Sequence, residues 1–236
     1  MRFTRPHLWR VAGYALLAWL VITAVPVLLF RFVPIPTSAY MLEQRVAWLF
    51  SSRPHPALHH RWRSLQDISP QLQLAVIASE DQTFSTNWGF DFTAIEAAFK
   101  YNEHHRRTRG ASTITQQTAR NLFLWPSRTW VRKGFEVYFT ILLEALWPKS
   151  RILTAYLNIA QFGNGVYGAE AAAQVWFHRR ASQLDAQQSA QLAAVLPDPL
   201  RMHAGRPSGY VLRRAAEIRV QMDNLGLGYL AFTHGR

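Results

Sequence analysis

Carboxylates are scarce in this chain, 14 among 236 residues, so two that fall side by side are informative. Glu80-Asp81 opens the stretch Gln82-Thr83-Phe84-Ser85-Thr86-Asn87-Trp88-Gly89-Phe90-Asp91, which mixes turn formers with aromatics. The pair falls where a helix is predicted to end. The negative end of the helix dipole and the aromatic neighbours both disfavour the ionised form, which raises the pKa. A carboxylate poised nearer neutral pH is what a general base requires. The bland alternative, a solvated turn, uses the same residues, since a perturbed carboxylate is a probabilistic marker.

Two further patterns lie downstream. Thr113, Gln117 and Asn121 recur every four residues with Arg120 beside them, so as a helix they share one face. Gly110-Ala111-Ser112 precedes them and permits close backbone approach at a helix N-terminus, a natural anion site. A solvent-facing helix usually carries Lys and Glu, so Thr, Gln and Asn favour a cleft for a hydroxylated or phosphorylated ligand over a plain polar surface. Next come Arg132, Glu136, Thr140 and Glu144, again every four residues, with Lys133 adjoining and Arg128 upstream. Arg132 and Glu136 could form an ordinary surface ion pair. If this stripe faces the same cleft as Glu80, the site holds two carboxylates and several cations. Paired carboxylates serve glycosidic chemistry, and the extra cations suit a pyrophosphate leaving group.

The elements that must position these groups read as helices. Ser69-Pro70 is an N-cap with proline in the first turn of a helix over about 69–79. Asp91 caps a second, with Phe92, Ile95 and Phe99 on one face, and Ser112 opens a third to about Leu122. A fourth covers about 129–146, with Val131, Phe135, Tyr138 and Leu142 as its expected buried stripe opposite the polar one. Ser150 caps a fifth to about Ala160, and a helix over 169–177 follows. Asp185 and Gln188 form a capping box for the next, and Ser208 starts a last helix ending near Gly226. No strand alternation, repeat or low-complexity tract is visible, so the expected class is all-α.

Ahead of these helices, residues 11–30 carry no charge, enough as a helix to cross roughly 30 Å of hydrocarbon. Arg2, Arg5 and Arg10 precede the run, and only Arg31 closely follows it, which places residues 1–10 in the cytoplasm and the remainder outside. The length of the run and the lack of a small-residue cleavage site favour a retained anchor over a signal peptide. The expected organisation is a tail at 1–10, an anchor at 11–33, a membrane-proximal linker region at 34–66 and a catalytic domain at 67–236. Pro34-Ile35-Pro36 is a stiff exit, and the aromatics and arginines of 37–63 suit either a membrane interface or ordinary packing. The formal net charge of +12, 23 of the 26 cations being arginine, points to an anionic partner, a lipid headgroup or phosphorylated substrate. Nucleic acid is excluded as that partner because the basic residues fall on the non-cytoplasmic side. The chain has no cysteine, which rules out disulfides and thiolate metal sites.

Four motifs in order then carry a resemblance: Glu80-Asp81-Gln82-Thr83-Phe84 with Gly89 and Asp91; Gly110-Ala111-Ser112-Thr113-Ile114-Thr115-Gln116-Gln117 with Arg120-Asn121-Leu122; Arg132-Lys133-Gly134-Phe135-Glu136 with Glu144; and Ile152-Leu153-Thr154-Ala155-Tyr156-Leu157-Asn158 with Phe162-Gly163. The chain resembles the peptidoglycan glycosyltransferases with a lysozyme-like helical fold, and among them the monofunctional biosynthetic transglycosylases. No penicillin-binding serine motif follows, which sets the monofunctional expectation. Two positions depart from the family pattern. Asn87 stands where the family often has His, and Arg120 stands for the usual Lys, keeping charge but not shape.

The resemblance implies polymerisation of lipid II into β-1,4-linked strands, with inversion and release of undecaprenyl pyrophosphate, on the periplasmic side of a bacterial inner membrane. Glu80 would be the general base, and Glu136 would orient cations or help activate the leaving group. Arg120, Arg128, Arg132 and Lys133 would hold pyrophosphate. Thr113, Gln117 and Asn121 would bind sugar or phosphate oxygens, and Asp81, Phe84 and Ser112 fall in the same motifs as substrate-binding positions. Partners would be lipid II, the growing strand and the membrane, with cell-division or wall-synthesis proteins as further candidates. No dedicated metal site is read, though a Mg²⁺ ion on the pyrophosphate fits the chemistry. The rivals are a glycan-cleaving enzyme of the same fold, such as a lysozyme or lytic transglycosylase, and a non-catalytic division scaffold.

Overall fold

A computed structural model describes residues 5–52, 54–104, 110–127 and 129–233. The chain divides into two units, Met1–Pro34 and Ile35–Arg236. The first holds one helix, α1 (Arg5–Phe32), with Pro26 inside it. Its segment Trp9–Phe32 has a mean hydropathy of 2.2 over 24 residues, long and apolar enough to cross a bilayer.

The second unit is helical: α2 (Ala39–Leu49), α3 (Pro70–Glu80), α4 (Phe92–His104), α5 (Ile114–Phe123), α6 (Trp130–Leu146), α7 (Lys149–Ile159), α8 (Ala169–Phe177), α9 (Ala186–Val195) and α10 (Gly209–Leu225). It begins at Ile35, so most of the stretch expected as a linker folds with the rest: Ile35 and Met41 are fully buried, and Arg63 pairs with Glu170 at 2.7 Å. Asn158 clasps the Arg63 backbone, accepting from its N–H at 2.7 Å and donating to its carbonyl at 2.9 Å.

Two helices form the centre. Every residue of α3 from Leu72 to Ala78 is buried, and so is every residue of α7 from Ile152 to Ile159. A helix apolar on most faces can only be stable when surrounded. α3 is enclosed by α9 and α10, and α7 packs on α5. Each buried Leu or Ile contributes about 1.5–3 kcal/mol. Ser69 caps α3, accepting from the Gln71 N–H at 3.3 Å and donating to the Leu184 carbonyl at 2.7 Å. Glu80, the last residue of α3, is thereby placed by the most deeply packed element.

Four local expectations are corrected. The α5 cap is Thr113, one residue later than Ser112, because Thr113 and Gln116 close a reciprocal capping box. Pro148, not Ser150, precedes α7, without a side-chain cap. A small sheet exists, in the order β1 (His59–His60), β3 (Val166–Tyr167), β2 (Gln161–Gly163), with strands too short to show alternation. The largest difference is in α6. Its buried residues are Glu136, Phe139, Thr140 and Leu143, while Val131, expected in the core, is exposed. The polar stripe faces inward because its charges are matched there.

Asp91 caps α4 as expected, accepting from the Ala94 N–H at 2.8 Å. Phe92, Ile95 and Phe99 nonetheless stay uncovered, Phe92 and Phe99 by 75% and 67%. Trp130 at the start of α6 is 91% exposed.

Candidate active site

Glu80 ends α3 and meets α5 and α7 through one chain of hydrogen bonds. The Tyr156 hydroxyl donates to Gln117 Oε1 at 3.1 Å, and Gln117 Nε2 donates to Glu80 Oε2 at 2.9 Å. The Ser112 carbonyl accepts from the same Nε2 at 3.3 Å, so Gln117 is fixed in orientation from both ends. Burial pushes the Glu80 carboxyl above its ordinary range. The bond from Gln117 and the charges of Arg214 and Arg120 oppose that rise, and Asp81 adds to it. Burial also raises the Tyr156 phenol well above its usual value, with Glu80 reinforcing the shift. Tyr156 therefore stays a neutral donor.

Asp81, Phe84 and Thr113 are buried and build the frame around Glu80. Asp81 is buried and accepts from the Ile114 N–H at 3.1 Å, from Asn87 Nδ2 at 2.8 Å and from the Thr83 hydroxyl at 3.3 Å. Burial raises its carboxyl too, against the pull of these donors. Thr113 accepts from the Gln116 N–H and donates to the Gly89 carbonyl at 2.7 Å, so its one hydroxyl proton is committed to the backbone. Phe84 lies in the core with Lys149 Nζ 4.7 Å from its ring centre. Asn87 is built into the same loop: its Oδ1 accepts from the Gly89 N–H at 3.1 Å and from Lys149 Nζ at 3.2 Å.

The inward face of α6 explains its polarity. Glu136 is 1% exposed and is gripped by Arg132 Nη1 at 2.6 Å on one oxygen and by Lys133 Nζ on the other. Glu144 is met by Lys149 Nζ at 2.7 Å and by the Thr115 hydroxyl at 2.6 Å. Burying a carboxylate is costly unless it is paired and hydrogen-bonded, and both are. The loop from Glu80 reaches this face at Gly89, whose φ is +79°, where an added Cβ would lie 2.7 Å from Thr140 Cγ2 and 2.9 Å from Glu144 Cγ. Gly89→Ala is therefore expected to lower stability by about 2–4 kcal/mol, from backbone strain and overpacking together, read as a fall in thermal melting temperature.

A cleft of about 690 Å³ opens against α5, and Gln117, Arg120, Asn121, Arg132 and Tyr156 are among its walls. Arg120 Nε donates to Asn121 Oδ1 at 3.3 Å, which orients the guanidinium. Glu80 is bonded to one wall residue, Gln117, and Glu136 to another, Arg132. The two carboxylates are thus each one side chain from a single cleft. Lys133 stands on the far oxygen of Glu136, Ser112 contributes its carbonyl to Gln117, and Arg128 lies outside the described residues. No site role was expected for Tyr156, although it stands in the fourth motif, nor for Tyr40, Gln161 and the loop through Leu196, Pro197 and Pro199, all in the cleft wall. The fourth sequence motif, which contains Tyr156, was the available signal for it; nothing local marks Tyr40.

Asp81, Glu136 and Glu144 do not fit a resident Mg²⁺ site. Asp81 accepts from three donors, and Glu136 and Glu144 are neutralised by Arg132, Lys133 and Lys149. Among the described residues, no three His, Asp or Glu side chains converge as metal ligands.

This architecture can be compared with known proteins. The transglycosylase family model matches residues 49–223. A biosynthetic peptidoglycan transglycosylase of Mannheimia succiniciproducens is 53% identical over 209 residues, 89% of this chain and 86% of that protein. One from Cronobacter sakazakii is 52% identical over 220 residues, covering 93% and 91% of the two chains. One from Salmonella typhi is 56% identical over 200 residues, covering 84% and 82%. The match spans the helices that carry Glu80, Gln117, Arg132 and Tyr156, and the chain belongs to the transglycosylase family of enzymes.

Proposed function

We propose that this enzyme polymerises peptidoglycan by joining lipid II to a growing glycan strand held on a lipid pyrophosphate. The observation that carries the reading is the Tyr156–Gln117–Glu80 chain at an arginine-lined cleft. A base of raised pKa and a set of guanidinium groups are the two requirements for sugar transfer from a pyrophosphate. The relatives, biosynthetic peptidoglycan transglycosylases by name, supply peptidoglycan as the class of product.

In the reaction, Glu80 takes the proton of the 4-hydroxyl on the incoming sugar. That oxygen forms a bond to C1 of the strand's terminal sugar from the face opposite the pyrophosphate. The C1–oxygen bond to pyrophosphate breaks, and the leaving group departs with the electron pair. An α-linked donor becomes a β-1,4 link by single inversion. Arg120 and Arg132 meet the charge that develops on the leaving group, which is worth most in a water-poor cleft. Glu136 does not touch the reacting atoms in this scheme. It positions Arg132 and Lys133, holding their charges in place before the substrate arrives. Gln117 sets the direction of the Glu80 carboxyl.

In this reading α1 anchors the chain in the bilayer, and the positive-inside tendency of Arg2, Arg5 and Arg10 supports a periplasmic position for the domain that follows. A lipid-linked substrate confined to the same surface is thereby concentrated at the enzyme. The uncovered aromatics Phe92, Phe99 and Trp130 suit a protein working at a lipid boundary.

The test is incubation of the full-length protein in detergent micelles with purified lipid II or with intact glycan strands. Lipid II is expected to grow into strands, and the strands are expected not to shorten. Shortening without growth would favour a glycan-cleaving enzyme; neither would leave a scaffold.

A further inference from the structure

A second hollow of about 450 Å³ lies at the C-terminal end of α8, lined by Val175, Trp176, His178, His203, Gly205 and Arg206. Its lining includes one arginine and two histidines and no carboxylate. Trp176 is held as a rigid wall. Its Nε1 donates to the Phe162 carbonyl at 3.2 Å, and the His203 ring lies 5.8 Å from it, centre to centre. Gly163 leaves room for the indole, since a Cβ there would lie 2.6 Å from Trp176 Cζ2. His178 closes α8 in the left-handed region at φ 54°, the one non-glycine residue with positive φ among those described. A helix end of this kind ordinarily takes glycine, and a side chain there bears a conformational cost. The position carries an imidazole instead, turned into the lining of the hollow.

The hollow and the main cleft have no lining residue in common, but two stretches of chain run from one to the other. Gln161 lines the cleft, and the next residue, Phe162, bonds Trp176 of the hollow. The loop after α9 contributes Leu196, Pro197 and Pro199 to the cleft and His203, Gly205 and Arg206 to the hollow.

We propose that this hollow binds the carboxylates of the peptide stems on the glycan strand as it passes beyond the cleft. The inference rests on the polymerase reading above. It follows from that reading that the ligand is a chain, sugar-bearing and acidic at intervals, extending past the site of bond formation. A fixed indole suits a sugar's apolar face, and Arg206 with the two imidazoles suits a carboxylate. A flat lipid surface would not need a recess with an indole wall.

The experiment uses full-length protein in micelles and short soluble peptidoglycan chains of one length. One set keeps its acidic stems; in the other the stem carboxylates are converted to carboxamides. Wild type is expected to bind the acidic chains about ten-fold tighter, and His203→Glu with Arg206→Glu together to bind both alike. Both substituted side chains are solvent-exposed, and an unchanged melting temperature checks the fold. The double variant is expected to couple two lipid II molecules at the wild-type rate yet release shorter strands. Equal binding of acidic and amidated chains by wild type, or undiminished discrimination in the variant, overturns the proposal. So does a variant that loses only sedimentation with anionic vesicles, which makes the patch a membrane contact. A wild type that never couples lipid II defeats the polymerase reading instead, and the chain-binding comparison is read independently of it.

Discussion

Glu80→Gln abolishes transfer and leaves the fold intact: the expected fall in kcat is about 10²–10⁴-fold, with no loss of melting temperature. The chemical reason is that glutamine cannot accept the 4-hydroxyl proton. The structural reason for an intact fold is that the amide oxygen can still accept from Gln117 Nε2, now 2.9 Å from Glu80 Oε2. Linkage sharpens the stability half. Burial raises the folded-state pKa of Glu80 above its unfolded value. Its contribution to stability is therefore fully present below the unfolded value and is lost as pH rises through the folded value. Once ionised, the carboxylate is a burden on the fold, and Gln117, Arg120 and Arg214 only partly relieve it. The neutral amide should melt at the same temperature as wild type or higher. Transfer assays with lipid II and a thermal melt of the same sample read both halves; a variant that melts early would make the activity loss uninformative.

Arg132→Ala carries the second large effect. Arg132 lines the cleft and pairs with buried Glu136 at 2.6 Å. Removing the guanidinium withdraws charge from the leaving group, worth about 10²–10³ in rate. It also leaves Glu136 with Lys133 alone. Complete loss of partners around a buried charge costs about 3–5 kcal/mol, so with Lys133 retained the expected cost is about 1–3 kcal/mol. Catalysis should fall further than stability. Arg132→Lys restores charge without the planar fork, and its kcat should lie between wild type and alanine, with KM moved less than kcat.

The helical frame was legible because its signals are local. Ser69-Pro70, Asp91, the Asp185–Gln188 box and Ser208 each cap a helix within a residue of expectation. The wall of the cleft was legible for the same reason: Gln117, Arg120 and Asn121 fall at helical spacing, and helical geometry alone puts them together. Thr113 shares that spacing but belongs to the cap, and periodicity cannot distinguish a hydroxyl spent on a backbone N–H from one left for a ligand. Asp81 and Phe84 illustrate a related limit. They sit in the motif of Glu80 yet serve to hold its loop, through bonds to Ile114, Asn87 and Thr83 and through contact with Lys149. In α6 the usual rule of apolar inside held only in part, since Glu136 and Thr140 are buried beside Phe139 and Leu143. Arg132, Lys133 and Lys149 neutralise Glu136 and Glu144, so the charged stripe could be buried and part of the apolar edge left outside. Charge pairing across the fold is long-range information, and an isolated helix sequence does not contain it. Tyr156 was lost for the same reason, since only its partner on α5 makes its hydroxyl meaningful.

The most direct test titrates Glu80 itself. Infrared difference spectra of full-length protein in micelles, wild type minus Glu80→Gln, isolate its carboxyl band across pH. The acid limb of kcat/KM for lipid II coupling is measured on the same preparation. Both should fall at one pH above the ordinary glutamate range, rate being lost as the pH drops and the base takes a proton. Gln117→Ala, which removes a bond favouring the ionised form, should carry both midpoints upward together. A carboxyl band titrating in the ordinary range, or an acid limb that stays in place when Glu80's own midpoint moves, would contradict Glu80 as the base.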